Sequence, residues 1–214
     1  SGASAGVAAD FERLHLPEAT PSAPTASINP ADLPALHIVV KDLRLGAAQL
    51  GTARIETFPI SGGLRVEQLE TSSAVVALRA RGEWTVLEGI ERSRFGVTFS
   101  AENLGRMLDA LGFAGMVDGG QTIVQLDGSW LGSPAQFGLS RIAGTLRAKV
   151  GQGRILEVNP GAGRLLGLVS LQAIPRRLAL DFSDFFRSGM SFDSIEGQFE
   201  LRTGDAFTTD LVVK

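Results

Sequence analysis

Two histidines, a scatter of aspartates and two glycine-rich turns are the places where this sequence could assemble chemistry. His15 lies beside a proline-rich stretch and His37 opens a strand-like run. That spacing places no pair for a metal or a Ser-His relay, and both are expected to face solvent. Asp181, Asp184 and Asp193 would suit a carboxylate pair or a hard cation, yet each neighbours Phe or Ser in loop-like sequence without EF-hand spacing. They read as solvated or helix-capping carboxylates. GQGRIL and GAGRLLG resemble dinucleotide turns, but the third glycine of the second comes one place late. Neither sits in a β-α-β unit with an acidic partner downstream, so both read as turn and helix-entry glycine. GxSxG, SxxK and a Walker loop are missing from the sequence. The absence of cysteine removes disulfides, thiolate nucleophiles and zinc-thiolate sites. The expectation is a protein that is not an enzyme and needs no cofactor or metal.

The bulk properties narrow the field further. A net charge of -3 with mixed signs and no Lys/Arg stripe interleaved with aromatics argues against nucleic acid. No apolar run approaches the ~20 residues that cross a bilayer, so any membrane attachment is expected from elsewhere in a parent protein. The chain opens SGASAGVAAD without an initiator methionine and stops at TTDLVVK in what reads as mid-strand, as a piece of a longer protein would.

The elements that would hold such residues are mostly strands. Five prolines between Pro17 and Pro34, among Ala, Ser and Thr, mark residues 1–34 as an extended connector, with folding expected to begin near Leu36 in a unit covering 35–214. LHIVVKDLRLG, AQLGTARIETF, LRVEQLE and AVVALRARGEW then alternate short β-like runs with glycine. Ser100 is placed to cap a helix at AENLGRMLDALG, where Leu104, Met107, Leu108 and Leu111 form one apolar stripe and Gly112 supplies the stop. TIVQLDGSW, AQFGLSRIAGTLRAKV, GRILEV and SFDSIEGQFELRTGDAFTTDLVVK resume the strands, with Phe199 and Leu201 alternating against Gln198, Glu200 and Arg202. A weak echo joins RGEWT to DGSWL. Each carries Gly-x-Trp, ending in Trp84 or Trp130, and each is followed by Phe-Gly, at Phe95 and Phe137. It reads either as two similar hairpins or as a repeated β unit.

The most apolar segment follows the turn at Asn159-Pro160-Gly161. A helix over about 162–173 would gather Ala162, Leu165, Leu166, Val169 and Ala173 on one face, widened by Leu168, Leu171 and Ile174. Each Leu hidden from water is worth about 1.5–3 kcal/mol, so the segment must be buried or face something oily. Pro175 ends it, and Arg176 and Arg177 would either compensate the helix carbonyls or meet phosphate in a fork geometry.

GAGRLLGLVSLQAIPRRLALDFSDFFRSGMSFDSIEGQFEL closely resembles the C-terminal region of YhdP-type proteins in the AsmA-like superfamily, which also contains TamB. INPADLPALHIVVKDLRLGAAQLGTARIET and SAENLGRMLDALGF are similar to the same region, so the resemblance covers most of the chain after Pro30. It implies part of a very large Gram-negative envelope protein, anchored in the inner membrane and spanning the periplasm as a long, curved β structure with an apolar groove. Such proteins are implicated in moving phospholipids to the outer membrane and in its barrier integrity. The fold expected is mainly β with a few short helices, an elongated, twisted, mostly antiparallel sheet with helices packed on it or capping it. Phospholipid acyl chains are the expected partner, contacted by Leu165, Leu166, Leu168, Val169 and Leu171 and by Leu104, Met107 and Leu108, with Arg176 and Arg177 near phosphate, and an outer-membrane or envelope protein is a second candidate partner. The resemblance carries no catalytic residue over. The rival readings are a structural or protein-interaction module of the envelope, and a glycan-acting or glycan-binding β domain using paired carboxylates and Trp84 and Trp130 as platforms. Their Gly-x-Trp setting favours strand anchoring in the core instead.

Overall fold

The structure is a computed structural model that describes residues 6–16, 28–46, 48–110, 115, 117–138, 140–156, 189–202 and 204–214. The Leu165 to Leu171 stretch, Arg176, Arg177, Asp181, Asp184 and the GAGRLLG turn lie outside the described residues.

Alternating sequence becomes one large open sheet. Its strands run β1 (Gly6–Leu16), β2 (Ala35–Leu45), β3 (Ala48–Ile60), β4 (Gly63–Ser72), β5 (Ala77–Leu87) and β6 (Ile90–Ala101). After a helix α1 (Leu104–Ala110) and a short β7 (Val117–Gly119) come β8 (Thr122–Leu131), β9 (Ala143–Val150) and β10 (Gly153–Ile155). The chain closes with β11 (Ser191–Phe192), β12 (Ile195–Arg202), β13 (Asp205–Phe207) and β14 (Val212–Val213). The spatial order is β1-β2-β3-β4-β5-β6-β8-β9-β12-β13, with β14 also pairing β12, while β7, β10 and β11 make a separate three-stranded sheet. The two ends of the large sheet, β1 and β13, do not meet, so the described residues close no barrel. The expectation of a mainly β fold with few helices holds.

Sequential hairpins explain the meander. Ser61-Gly62 and Glu88-Gly89 are two-residue turns, and in the second both Glu88 (φ 53°) and Gly89 (φ 76°) take the positive φ that a tight hairpin of this twist requires. All the pairings in the large sheet are antiparallel except β1 with β2, which is parallel.

That exception corrects one expectation. The sheet already includes Gly6–Leu16, ahead of Leu36, because Val7, Ala9 and Phe11 alternate, then Leu14 and Leu16, and they match Leu36, Ile38, Val40, Leu43 and Leu45 in register. Proline content beyond Leu16 hid that short alternating run. Three further expectations shift. Ile90–Ala101, not singled out among the strand-like runs, is the long strand β6. Ser100 belongs to that strand, and Asn103 caps α1 instead, its Oδ1 accepting the Arg106 N–H at 2.9 Å. AQFGLSRIAGTLRAKV is a strand only from Ala143, because Pro134 opens a 3-10 turn over Pro134–Gln136 and the chain loops through Arg141 first.

Candidate functional site

Register and the two-residue period of a strand sort the side chains into two faces. On one, Phe95, Val97, Phe99 and Ala101 of β6 stand opposite Gly128, Leu126, Val124 and Thr122 of β8. The same row continues through Leu78, Ala80, Gly82 and Trp84 of β5 and through Leu64, Val66, Leu69 and Thr71 of β4. In the other direction it continues through Gly144, Leu146, Ala148 and Val150 of β9 and through Ile195, Gly197, Phe199 and Leu201 of β12. Ile38, Val40, Ala53 and Ile55 extend it across β2 and β3. A face that is apolar over the whole breadth of an open sheet is the main feature of this molecule.

Two bulges keep that face continuous. Val66 and Leu69 are three apart, which would put them on opposite sides, but an irregularity between them against β5 and a matching one in the β3 pairing return Leu69 to the apolar side. An irregularity between Val40 and Leu43 in β2 does the same.

The opposite face is charged and self-paired. Arg65 meets Glu83 at 3.0 Å, Arg79 meets Glu70 at 3.1 Å, Lys149 meets Glu196 at 2.9 Å and Arg202 meets Glu200 at 2.7 Å. Arg44 beside Asp42 and Arg202 beside Glu200 hold those two carboxyls below their ordinary pKa, chiefly by hydrogen bonding. His15 lies 3.8 Å from Asp42 and His37 3.4 Å from Glu56, both imidazoles more than half exposed as the sequence suggested. Among the described residues no three His, Asp or Glu side chains converge on a metal position. Asp193 is exposed in the link from β11 to β12.

Three pieces of chain rest on the apolar face at its margins. The 3-10 turn Pro30–Asp32 lies against β3, β4 and β5 with Pro30 buried, where Thr57 and Leu64 are buried too. Helix α1 packs at the other end of the strands: Met107 is buried against Val76 and Ala101, with Leu104, Leu108 and Phe99 half-buried around them. Leu104, Met107 and Leu108 are thus brought together, Met107 inside a filled cluster and the two leucines at its rim.

The third piece is the described part of the link from β8 to β9, residues 132–138 and 140–142. Ile142 is fully buried, and its Cδ1 occupies the place that a Cβ on Gly128 would need, at 2.4 Å. Trp130 stacks on Phe95 with centroids 5.7 Å apart and meets Phe137 edge-on at 5.2 Å. The loop is pinned by three hydrogen bonds: Gly132 N–H to the Glu91 carbonyl at 2.9 Å, the Ser93 hydroxyl to the Gly132 carbonyl at 2.8 Å, and the Trp130 indole N–H to the Ser133 carbonyl at 2.9 Å.

This geometry accounts for the Gly-x-Trp echo. Gly82 and Gly128 both pair with Phe95, and Trp84 and Trp130 both pair with Ser93, one set on each side of β6. Phe95 fills the space over Gly82, where a Cβ would lie 2.6 Å from its ring, as Ile142 does over Gly128. The echo therefore marks two strands that flank one neighbour rather than stacked repeat units. Trp130 is core, as expected, while Trp84 is half-buried and donates its N–H to Glu91 at 2.8 Å.

Between these margins Ile55, Leu69, Ala80, Val97, Leu126, Leu146 and Phe199 are only half-buried, and among the described residues no second sheet or helix layer lies over them. The lining of the apolar face by Val97, Leu126 and Leu146 was missed from the sequence. Its signal was the strict alternation of β6, β8 and β9, readable once β6 is recognised as a strand.

Fold and surface together define a class: single-layer, open, mainly antiparallel sheets with one face apolar across their breadth and the other charged. The chain belongs to the YhdP family, whose model, described as YhdP protein, matches residues 1–214. Among curated proteins it is similar to the intermembrane phospholipid transporter YhdP of Escherichia coli (strain K12), 31% identical over 137 residues, which is 64% of this chain and 11% of that relative. The chain therefore spans about a tenth of the length of the curated relative it matches. No solved structure matches.

Proposed function

We propose that this chain is a non-enzymatic lipid-transfer module in which phospholipid acyl chains lie along the apolar face. It would form one part of a periplasm-spanning protein that moves phospholipids between the inner and outer membranes and supports the outer-membrane barrier. The observation that carries this reading is the half-buried strip of Val97, Leu126, Leu146 and Phe199, apolar side chains on a face that the described residues leave without a second layer. Lipid tails are an apolar solvent for such side chains, and burying each is worth about 1.5–3 kcal/mol. The relative's name, which speaks of transport of phospholipid between membranes, points the same way. Attachment to either membrane would come from other parts of the parent protein, and the charged face would look into the periplasm.

The Leu165, Leu166, Leu168, Val169 and Leu171 stretch, read by composition alone, belongs to the same scheme as a second apolar surface, with Leu104 and Leu108 at the end of the strands and Arg176 and Arg177 available to phosphate. The test is native mass spectrometry with lipid extraction on the purified chain. Co-purified phospholipid is expected in the wild type, lost in a Val97→Thr, Leu126→Gln variant that keeps its circular dichroism, and reduced in Leu165→Asp, Val169→Asp. A wild type free of lipid would favour the rival reading, a structural or interaction module. The outer side of β1, unpaired among the described residues, supports that rival, because a strand edge left open accepts a strand from a partner.

A further inference from the structure

At one margin of the apolar face the sheet and the link that follows β8 enclose a recess of about 270 Å³. Its floor is Phe95, Val97 and Leu126, and its side wall is Trp130, Pro134 and Phe137. By register the floor belongs wholly to the apolar face, with Phe95 opposite Gly128 and Val97 opposite Leu126. The wall is braced, so it does not fold inward to fill the space. Trp130 is held by its stack on Phe95, centroids 5.7 Å apart, and by Phe137 edge-on at 5.2 Å. Phe137 closes the 3-10 turn Pro134–Gln136, where Gln136 N–H donates to the Ser133 carbonyl at 3.0 Å and Phe137 N–H to the Pro134 carbonyl at 3.2 Å.

The side chains of the recess offer nothing polar to a ligand. The Trp130 indole N–H is already donated to the Ser133 carbonyl at 2.9 Å, and proline has no N–H to give. A peptide or a sugar placed there would leave its own donors and acceptors unpaired away from water, whereas a hydrocarbon chain has none to leave. Val97 and Leu126 belong at once to the recess and to the half-buried strip that runs on to Leu146. A chain longer than the recess therefore passes onto more apolar surface, not into water.

We infer that this recess is a pocket for the methyl end of one alkyl chain, entered from the strip and stopped against Trp130, Pro134 and Phe137. A methylene fills about the volume of a water molecule in the liquid, roughly 30 Å³, so the space takes about nine carbons. The inference rests on the lipid-carrying reading above and adds to it a fixed end-point for one tail and a dependence on its length. Inside the recess a methylene is covered from several sides, while on the open strip it is covered from one. Affinity should rise steeply with chain length until the recess is full and gently beyond.

The test uses the full chain and calorimetric titration with hexyl, octyl, decyl, dodecyl and tetradecyl phosphocholine, each below its micelle concentration. Wild-type affinity should grow roughly threefold per methylene from hexyl to decyl and distinctly less from decyl to tetradecyl. Val97→Phe fills the recess from its floor and Phe137→Ala removes part of its wall, and circular dichroism checks both folds. Either variant should bind decyl phosphocholine roughly tenfold or more weakly, the loss of two or more covered methylenes, and should lose the break in slope. A single slope in the wild type that neither folded variant changes would overturn the recess and leave the apolar-face reading standing. Failure of every probe to bind the wild type would overturn the two together. A capped Leu-Phe-Leu peptide that displaces decyl phosphocholine at equal or lower concentration would assign the recess to a protein side chain and overturn the alkyl chain.

Discussion

At the scale of single residues, the close approaches around Trp130 decide what each position tolerates. A Cβ at Gly144 would sit 2.0 Å from the Asp127 carbonyl oxygen, and backbone in the middle of a sheet cannot give way. Gly144→Ala should therefore destabilise by about 1–3 kcal/mol, read as a lower urea midpoint, although alanine is the better strand residue on propensity. Ile142→Ala should cost about 2–5 kcal/mol, because it opens a cavity under the link from β8 to β9 at a side chain that is fully buried. The charged face behaves differently. Asp42 and Glu200 have depressed pKa values in the fold, so what their pairs contribute is fully present above the ordinary carboxyl values of 3.8 and 4.5 and declines as pH falls through the depressed ones. Glu200 is exposed and Asp42 half-buried at the surface, so the loss should be small and should shrink in high salt. Urea midpoints at pH 7 and pH 3, each at low and high ionic strength, check the sign.

At the scale of elements, α1 shows two rules in conflict. Gly105 lies in the helix interior, where replacement by alanine ordinarily gains about 1 kcal/mol. Here a Cβ would meet the Val117 carbonyl oxygen at 2.3 Å, so the helix would have to lift from β7. Overpacking of this kind costs about 1–3 kcal/mol, and Gly105→Ala is expected to destabilise on balance. Asn103→Ala removes the cap on the Arg106 N–H and should cost about 1 kcal/mol. In both variants faster amide exchange should be confined to α1 and β7, with the β5–β6–β8 ladders protected as before. Uniform loss of protection would mean that α1 is integral to the sheet rather than a cover at its end.

At the scale of the whole molecule, the sheet has two unlike edges. β12 is covered in pieces, by the two residues of β14 and the three of β13, and between them the Gln198 N–H donates to the Asp210 side chain at 2.9 Å. Among the described residues β1 pairs only with β2, and Val7, Phe11 and Leu16 along it are 48%, 39% and 45% exposed. A long, unguarded edge with apolar side chains invites strand addition, whereas one broken by short strands and a side-chain cap does not. The isolated chain should self-associate through β1, and Val7→Lys, Phe11→Lys should shift sedimentation toward monomer. Asp210→Ala should leave the association state unchanged, since the edge it caps is already interrupted.

The sequence by itself determined the class of the fold and the two-sidedness of its strands, because alternation is a local property with a period of two. GTLRAKV and IEGQFELR declare an apolar and a wet side without reference to any partner. It also carried the family, in motifs that lie partly outside the described residues. Only the tertiary structure decided which strands are neighbours and in what register. The bulges that return Leu43 and Leu69 to the apolar face, the recruitment of Gly6–Leu16 to the edge, and the glycines that admit Phe95 and Ile142 all arise from packing between residues far apart in the chain.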